Sequence, residues 1–257
     1  MAFFGRRRAQ PRLEPDFVRT WTGGELGRIA AGVDLDTLRA VYGRLDATSR
    51  IHFLSDFGAL FSDGHLFELW ERRLLEPEDA LERVVLAAVH LGAGHRERAL
   101  ILALEAGRDI VPLLVAQQAA AGAQEWRDLD PYHPVGLRLL VDRVDVVKQE
   151  ELAADVAAHA PPGHLGHGVV PYIVMRGGVA EEYLVPAWRR FSTGPAPDLR
   201  QESEVLNLFL RCFHRAGQWE EARQVLQRLD GRVSASVWGS VDAFVEARDA
   251  ILAGAGE

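Results

Sequence analysis

Apolar residues recur at spacings of three and four along most of the chain, the pattern of helices that bury one face. Residues 78–91 show it most clearly, because six apolar side chains fall on one stripe. Pro77 and the acidic residues after it are typical of a first helical turn, where a missing N–H costs nothing and negative charge meets the helix dipole. The stripe consists of Leu81, Val84, Val85, Ala88, Val89 and Leu91.

Two more helices are predicted around a short turn near the C-terminus. Apolar residues repeat at helical spacing over 202–214 and 219–229, and Gly217 between them can adopt the left-handed conformation that ends a helix. So short a turn reverses the chain, so these helices are expected to be antiparallel. The first buries Val205, Leu208, Phe209, Cys212 and Phe213, and the second buries Ala222, Val225, Leu226 and Leu229.

Most of the remaining chain also has a helical pattern, and alternating polar and apolar runs are nearly absent. Residues 169–175 form one strand-like patch, but Pro171 inside it argues against a central strand, so a helix is predicted there too. The pattern predicts an all-α protein of about ten to thirteen helices. The other predicted helices are 34–47, 49–61, 65–75, 95–106, 110–121, 133–143, 147–158, 179–191 and 234–252.

The C-terminal turn and its flanks, over 208–229, resemble a tetratricopeptide repeat. The matching residues are Gly217, which turns the chain, Trp219, which packs on the first helix, and Ala222, which lets the two helices approach. Gly94 and Ala99 reproduce part of this pattern. The resemblance implies antiparallel helical hairpins stacked in an irregular α-solenoid, because the turn glycines are unevenly spaced. A compact α-helical bundle without repeats is the alternative.

Segments rich in proline, glycine or charge interrupt the helical pattern and predict the domain organisation. Residues 1–14 are expected to form a flexible basic arm with Arg6, Arg7 and Arg8, and with Phe3 and Phe4 docked on the body. Residues 15–257 are expected to form a single helical-repeat-like domain. The linker at 192–198, which contains one glycine and two prolines, is expected to mark a sub-boundary within this domain.

The composition excludes several classes of function. The 257 residues carry a formal net charge of −8, which argues against a nucleic-acid partner because phosphate binding needs clustered positive charge. The single cysteine, Cys212, excludes an intrachain disulfide and a multi-thiolate metal site. Lys148 is the only lysine and has no glycine-rich loop before it, so a phosphate-binding loop is absent. No cofactor is expected.

The sequence predicts a cytoplasmic protein without a membrane partner. The arm is polar and broken by Pro11 and Pro15, whereas an export signal needs an apolar stretch of about 7–15 residues. No apolar run reaches the ~18–20 residues of a membrane-spanning helix.

The leading functional prediction is a non-catalytic scaffold or adaptor that binds a peptide or protein in a groove between stacked helices. Residues on the first helix of the C-terminal hairpin are the candidate contacts, namely Asn207, Arg211 and His214. Trp188 and Arg189 are further candidates, because tryptophan and arginine are over-represented among interface hot spots.

An enzyme on a helical scaffold, of the kind found in bacterial specialised metabolism, is the alternative. Its pocket would lie among His133, His164, His167 and Tyr172. His164 and His167 lie in a segment rich in proline and glycine, so a loop is expected there, and no spacing indicates a third metal ligand. No metal site is therefore predicted. A deep closed pocket would favour the enzyme, and an open groove the adaptor.

Overall fold

Helices make up 77% of the described chain, which confirms the predicted all-α fold class. The computed structural model describes residues 12–14, 21–62, 64–120, 122–177, 179–194, 199–229 and 231–254. These ranges contain fifteen α-helices and one pair of three-residue strands. The chain divides into two compact units. The N-terminal unit is Arg19–Arg143, and the C-terminal unit joins Val144–Glu257 to the segment that contains the first strand.

The described residues of the N-terminal unit form eight helices and two 3-10 turns, at Ala59–Ser62 and Glu125–Asp128. The helices are α1 (Gly23–Gly32), α2 (Leu35–Gly43), α3 (Ala47–Gly58), α4 (Gly64–Arg73), α5 (Ala80–Gly92), α6 (Arg96–Glu105), α7 (Ile110–Ala119) and α8 (Pro134–Val141).

Where the structure describes it, the C-terminal unit has seven helices, two 3-10 turns at Leu165–Gly168 and Glu181–Tyr183, and strands β1 (Arg12–Glu14) and β2 (Arg232–Ser234). The two strands pair in parallel, with Arg12 opposite Arg232. The helices are α9 (Val146–His159), α10 (Val169–Gly177), α11 (Leu184–Thr193), α12 (Leu199–Arg215), α13 (Trp219–Leu229), α14 (Ala235–Trp238) and α15 (Val241–Ala253).

The predictions of domain organisation and of a stacked solenoid stay predictions. Residues 1–11, with the three arginines and two phenylalanines of the basic arm, lie outside the described residues. Residues 12–14, the end of the predicted arm, form β1. Within the predicted sub-boundary at 192–198, residues 195–198 also lie outside the described part of the chain.

The helix predicted at 78–91 is present as α5, but it begins two residues later. Asp79 is the N-cap, and its carboxylate accepts a hydrogen bond of 2.9 Å from the backbone N–H of Glu82. The guanidinium of Arg39 on α2 donates to both carboxylates, at 2.5 Å to Asp79 and 2.6 Å to Glu82. This cap and its cation stabilise the start of α5 at Ala80.

In the C-terminal unit the predicted helical hairpin is confirmed as α12 and α13. Gly217 between them has φ of +66° and Ala222 is fully buried. The predicted helix at 169–175 is confirmed as α10.

The single helix predicted at 234–252 is wrong. The chain leaves β2 at Ser234, forms the short α14, and breaks at Gly239, whose φ is +72°. Ser240 then caps α15, with its hydroxyl accepting a bond of 3.1 Å from the N–H of Ala243. The apolar spacing continues across this break, but the helix does not.

The core of the N-terminal unit contains a cluster of aromatic side chains from α3, the 3-10 turn Ala59–Ser62 and α4. Phe53, Phe57, Phe61 and Trp70 are almost completely buried, and the rings of Phe57 and Trp70 meet edge to face at 5.1 Å. The indole N–H of Trp70 donates a 2.7 Å hydrogen bond to the carbonyl oxygen of Ala30, which attaches α1 to this cluster.

Two glycines allow α3 and α5 to cross at close range. A Cβ atom added to Gly58 would lie 2.6 Å from the carbonyl oxygen of Ala88, and one added to Gly92 would overlap the backbone of Gly58. The neighbouring atoms are backbone, so they cannot rotate away. The crossing therefore requires glycine at both positions.

Gly58→Ala is expected to lower the free energy of unfolding by about 1–3 kcal/mol, because the new methyl group forces the two helices apart. Gly27→Ala in α1 is the matched control, since nothing lies within 4 Å of its added Cβ. The control should be neutral or more stable by about 0.5–1 kcal/mol. Urea unfolding followed by circular dichroism compares them, and equal midpoints for the two variants would contradict the close crossing.

Candidate functional site

A groove of about 370 Å³, which we call the C-terminal groove, is formed by α12, α14 and α15. Seven side chains line it, and four of these are tryptophan or alanine. Glu246 and Ala250 are exposed, so the groove is open to solvent on the side of α15. The lining residues are Arg211, His214, Trp238, Ala243, Glu246, Ala247 and Ala250.

Helix α12 contributes Arg211 and His214, which lie three residues apart and therefore on one face. Both are half-buried. The guanidinium of Arg211 lies 5.8 Å from the centroid of the Trp238 ring, within the range of a cation–π contact. The imidazole of His214 packs against Trp219 at 5.9 Å, so the start of α13 supports it.

The position of Trp238 is fixed by Asn207, which is completely buried. The Asn207 side-chain oxygen accepts a 2.7 Å hydrogen bond from the Trp238 indole N–H. The Asn207 amide nitrogen donates to the carbonyl oxygens of Ser203 at 2.7 Å and Arg232 at 3.0 Å. An indole N–H only donates and a carbonyl only accepts, so just one orientation of the amide satisfies all three groups.

Helix α15 forms the other wall with small side chains. Ala243, Ala247 and Ala250 are spaced by four and three residues, so they share one helical face, while Phe244 and Ile251 on another face are buried. The Phe244 ring contacts Trp238 edge to face at 5.6 Å and holds it from the side of α15. The alanines leave the space that larger side chains would fill.

The groove offers two charges of opposite sign. Arg211 and Glu246 both line it, and neither has an ion-pair partner among the residues that the structure describes. An apolar group that enters the groove would therefore contact tryptophan and alanine, with a cation and a carboxylate near it.

The groove contains no cysteine or serine among its lining residues. Cys212 on α12 lies elsewhere, with its thiol 3.4 Å from the carbonyl oxygen of Pro171. Burial raises the pKa of Cys212 to about 12, so the thiolate needed for nucleophilic attack is not formed near neutral pH.

The structure brings two of the five predicted binding residues, Arg211 and His214, to the groove. Asn207 lies beneath it as a buried support. Trp188 is also buried, with its indole N–H donating to Gln224 at 3.2 Å, and Arg189 is exposed on α11 outside the groove.

Sequence reasoning missed Trp238, Ala243, Glu246, Ala247 and Ala250, because one continuous helix was predicted there. The available signal was the pair Gly239 and Ser240, a left-handed glycine followed by an N-cap residue.

The residues of the alternative enzyme site fall in different units. His133 belongs to the N-terminal unit, whereas His164, His167 and Tyr172 belong to the C-terminal unit. The His164 ring nitrogen Nδ1 accepts a 3.0 Å bond from the N–H of Gly166 and begins the 3-10 turn. Tyr172 accepts a 2.7 Å bond from Arg176. The enzyme stays a prediction.

His167 is completely buried within the loop that joins α9 to α10. Its Nε2 atom lies 3.1 Å from the carbonyl oxygen of Pro161, so Nε2 carries the proton and donates it. Burial lowers the pKa of His167 to about 4, and Nδ1 has no hydrogen-bond partner among the described residues. The imidazole is therefore neutral and supports the loop.

In the described ranges, no three histidine, cysteine, aspartate or glutamate side chains are placed to hold a metal ion. Over the same residues, no helix combines the length and the apolar character needed to cross a bilayer.

The buried His167 predicts acid sensitivity. In the unfolded chain the imidazole of His167 takes up a proton near pH 6.5, whereas in the folded chain it does so only near pH 4. The free energy of unfolding should therefore fall as the pH drops from 6.5 to 4, by ~3 kcal/mol at most. His167→Gln keeps a hydrogen-bond donor for the carbonyl of Pro161 and should reduce the dependence of the unfolding free energy on pH. His159→Gln, which replaces an exposed histidine, should leave that dependence unchanged. Urea unfolding at several pH values tests this, and an unchanged slope in His167→Gln would contradict it.

Comparison of the chain with models of protein families, with curated proteins and with solved structures finds no match in any of the three. The tetratricopeptide resemblance at Gly217, Trp219 and Ala222 thus stays a prediction, although these residues do form a helical hairpin.

Proposed function

We propose that this chain is a non-catalytic helical scaffold or adaptor that binds a peptide segment of a protein partner in the C-terminal groove. The observation that carries the proposal is the pair Arg211 and Glu246, two charges without ion-pair partners beside a floor of tryptophan and alanine.

The shape of the groove supports a peptide side chain as the occupant. Its volume of about 370 Å³ is at the small end of ligand pockets, which measure roughly 300–1,000 Å³. Because Glu246 and Ala250 are exposed, a chain can pass along α15 while it inserts one apolar side chain. Contact with Trp238 and Ala247 would then bury that side chain, and burial of a Leu-sized group contributes about 1.5–3 kcal/mol.

The charges define the chemistry of the partner. A carboxylate on the peptide would pair with Arg211, and its fork of N–H donors suits bidentate contact. An arginine or lysine on the other side of the apolar residue would pair with Glu246. The partner segment is therefore an apolar residue flanked by one acidic and one basic residue.

Charge reversal tests this assignment. The probes are short blocked peptides with a central leucine, flanked by glutamate on one side and arginine on the other, in both orders. Arg211→Glu should weaken binding at least about tenfold, equal to 1.4 kcal/mol, by isothermal titration calorimetry. A peptide with its glutamate changed to arginine should regain affinity for this variant.

Arg108→Glu is the control for that experiment, because it makes the same charge change at an exposed residue of the N-terminal unit. Equal affinity of Arg211→Glu and Arg108→Glu, or no binding of any probe to the unaltered chain, would overturn the proposed function.

Filling the groove provides an independent test. Ala250→Trp places a large side chain in the groove from an exposed position, so it should abolish probe binding with little change in stability. Ala253→Trp, also exposed on α15 but outside the groove, is the matched control. Calorimetric titration of both variants shows the effect, and a full-affinity Ala250→Trp variant would contradict the location of the site.

A further inference from the structure

The outer face of helix α6 carries apolar side chains that are open to solvent. The inner face packs against α5 and α7 and buries Ala99, Leu102 and Ala103. On the outer face, Ile101 and Leu104 are 41% and 44% exposed, and they lie three residues apart, so they adjoin each other. A partner that covers both side chains gains free energy, because the gain rises with the apolar area removed from water.

The other large apolar side chains that are exposed in the described ranges do not form a helical face of this kind. Val146 and Val147 follow each other on α9, so they point about 100° apart around the helix axis. Leu75 lies after the end of α4, and Leu129 lies after the 3-10 turn Glu125–Asp128. Exposed apolar area is therefore concentrated on one helical face at α6.

Two opposite charges flank this face of α6. Arg98 and Glu105 are exposed, and they lie three residues before and four residues after Ile101, so each adjoins it. They are seven residues apart, which is about 10 Å along the helix axis. Neither has an ion-pair partner within the described part of the chain. The face therefore has a positive end, an apolar middle and a negative end.

This order of charges is complementary to itself in one orientation. When a second copy of α6 packs in the antiparallel direction about a two-fold axis beside Ile101, Arg98 of each copy faces Glu105 of the other. The apolar side chains of both copies then meet in the middle. A parallel pair would place arginine against arginine and glutamate against glutamate, and such like-charge contacts are unfavourable. The charges therefore select the antiparallel pair.

We propose that the chain forms a homodimer through α6, with the two helices antiparallel, Ile101 and Leu104 of both copies at the centre, and an ion pair between Arg98 and Glu105 at each end. Helix α6 has ten residues and is about 15 Å long, so the contact is smaller than the ~800 Å² that each partner buries in a standard interface. The dimer is therefore weak, with a Kd on the order of 0.1 mM. It uses no residue of the C-terminal groove, so it goes beyond the proposed function.

Reversal of the two charges tests the dimer without any peptide. Arg98→Glu leaves two acidic residues on the face and Glu105→Arg leaves two basic residues, so each variant should dimerise at least about tenfold more weakly than the unaltered chain. A mixture of the two variants should recover the affinity of the unaltered chain to within about threefold, because both ends of the contact then join an acid to a base. Sedimentation equilibrium up to about 1 mM protein measures this, with one variant of the mixture labelled fluorescently.

Arg72→Glu and Glu150→Arg are the matched controls, because they make the same two charge changes at exposed residues of α4 and α9. Each control should dimerise with the affinity of the unaltered chain. Circular dichroism confirms that the helical content of every variant is retained.

The apolar centre of the contact has its own test. Ile101→Glu places two carboxylates beside the two-fold axis, so it should weaken dimerisation at least about tenfold. Val147→Glu, at a more exposed apolar residue on α9, should have no effect on dimerisation.

The expected result is a dimer that Arg98→Glu, Glu105→Arg and Ile101→Glu each weaken and that the mixture of the two charge variants restores. An unaltered chain that stays monomeric at the highest concentration would overturn the dimer. A mixture that associates no more than either variant alone, or controls that weaken the dimer equally, would overturn the antiparallel contact through α6.

Discussion

The side-chain amide of Asn207 joins the elements on which the C-terminal groove depends. It holds the backbone of β2 through Arg232 and the indole of Trp238, and it is anchored to its own helix α12 through Ser203. The hydrogen bonds to Ser203 and Trp238 are buried and the one to Arg232 is partly buried. A buried polar group left without its partner costs about 1–3 kcal/mol. The orientation of Trp238, and therefore the floor of the groove, follows from this one residue.

Helix α12 can serve both the core and the groove because its faces are divided by helical spacing. Phe209 and Phe213 pack against Trp188 of α11 at 5.5 and 6.3 Å, while Arg211 and His214 face the groove. The opposite wall carries alanines, so the groove is a space between helices that cannot close. The proposed peptide binding rests on that space and on charges that the described fold leaves without ion-pair partners.

The sequence predicts the helices well wherever one face is buried. The stripes of α5, α12 and α13 are strongly periodic, and Gly217 supplies the turn that the hairpin needs. Helix α1 was not predicted, although Thr22 and Glu25 form a capping box with bonds of 3.1 and 3.4 Å. Its glycine-rich first turn conceals the pattern.

Other features of the structure could not be predicted from the spacing of apolar residues. The ladder of β1 and β2 is three residues long, too short for alternation to show, and its register joins residues that are far apart in sequence. Asn207 was predicted as a contact because it lies on the first helix of the C-terminal hairpin, whereas its three partners include residues 25 and 31 positions away. The groove combines Arg211 and His214, which were predicted, with Trp238 and residues after Gly239, which were missed because the apolar spacing continues without interruption.

Peptide binding by Asn207→Leu tests the central claim most directly. Leucine has a similar size but cannot hold Trp238, so the variant should retain its helical content and lose most of its affinity for the probe peptides. Gln117→Leu is the comparison, because it removes an equally buried amide in the N-terminal unit. Loss of binding in Asn207→Leu alone is the predicted result. Full affinity in Asn207→Leu, or an equal loss in both variants, would contradict it.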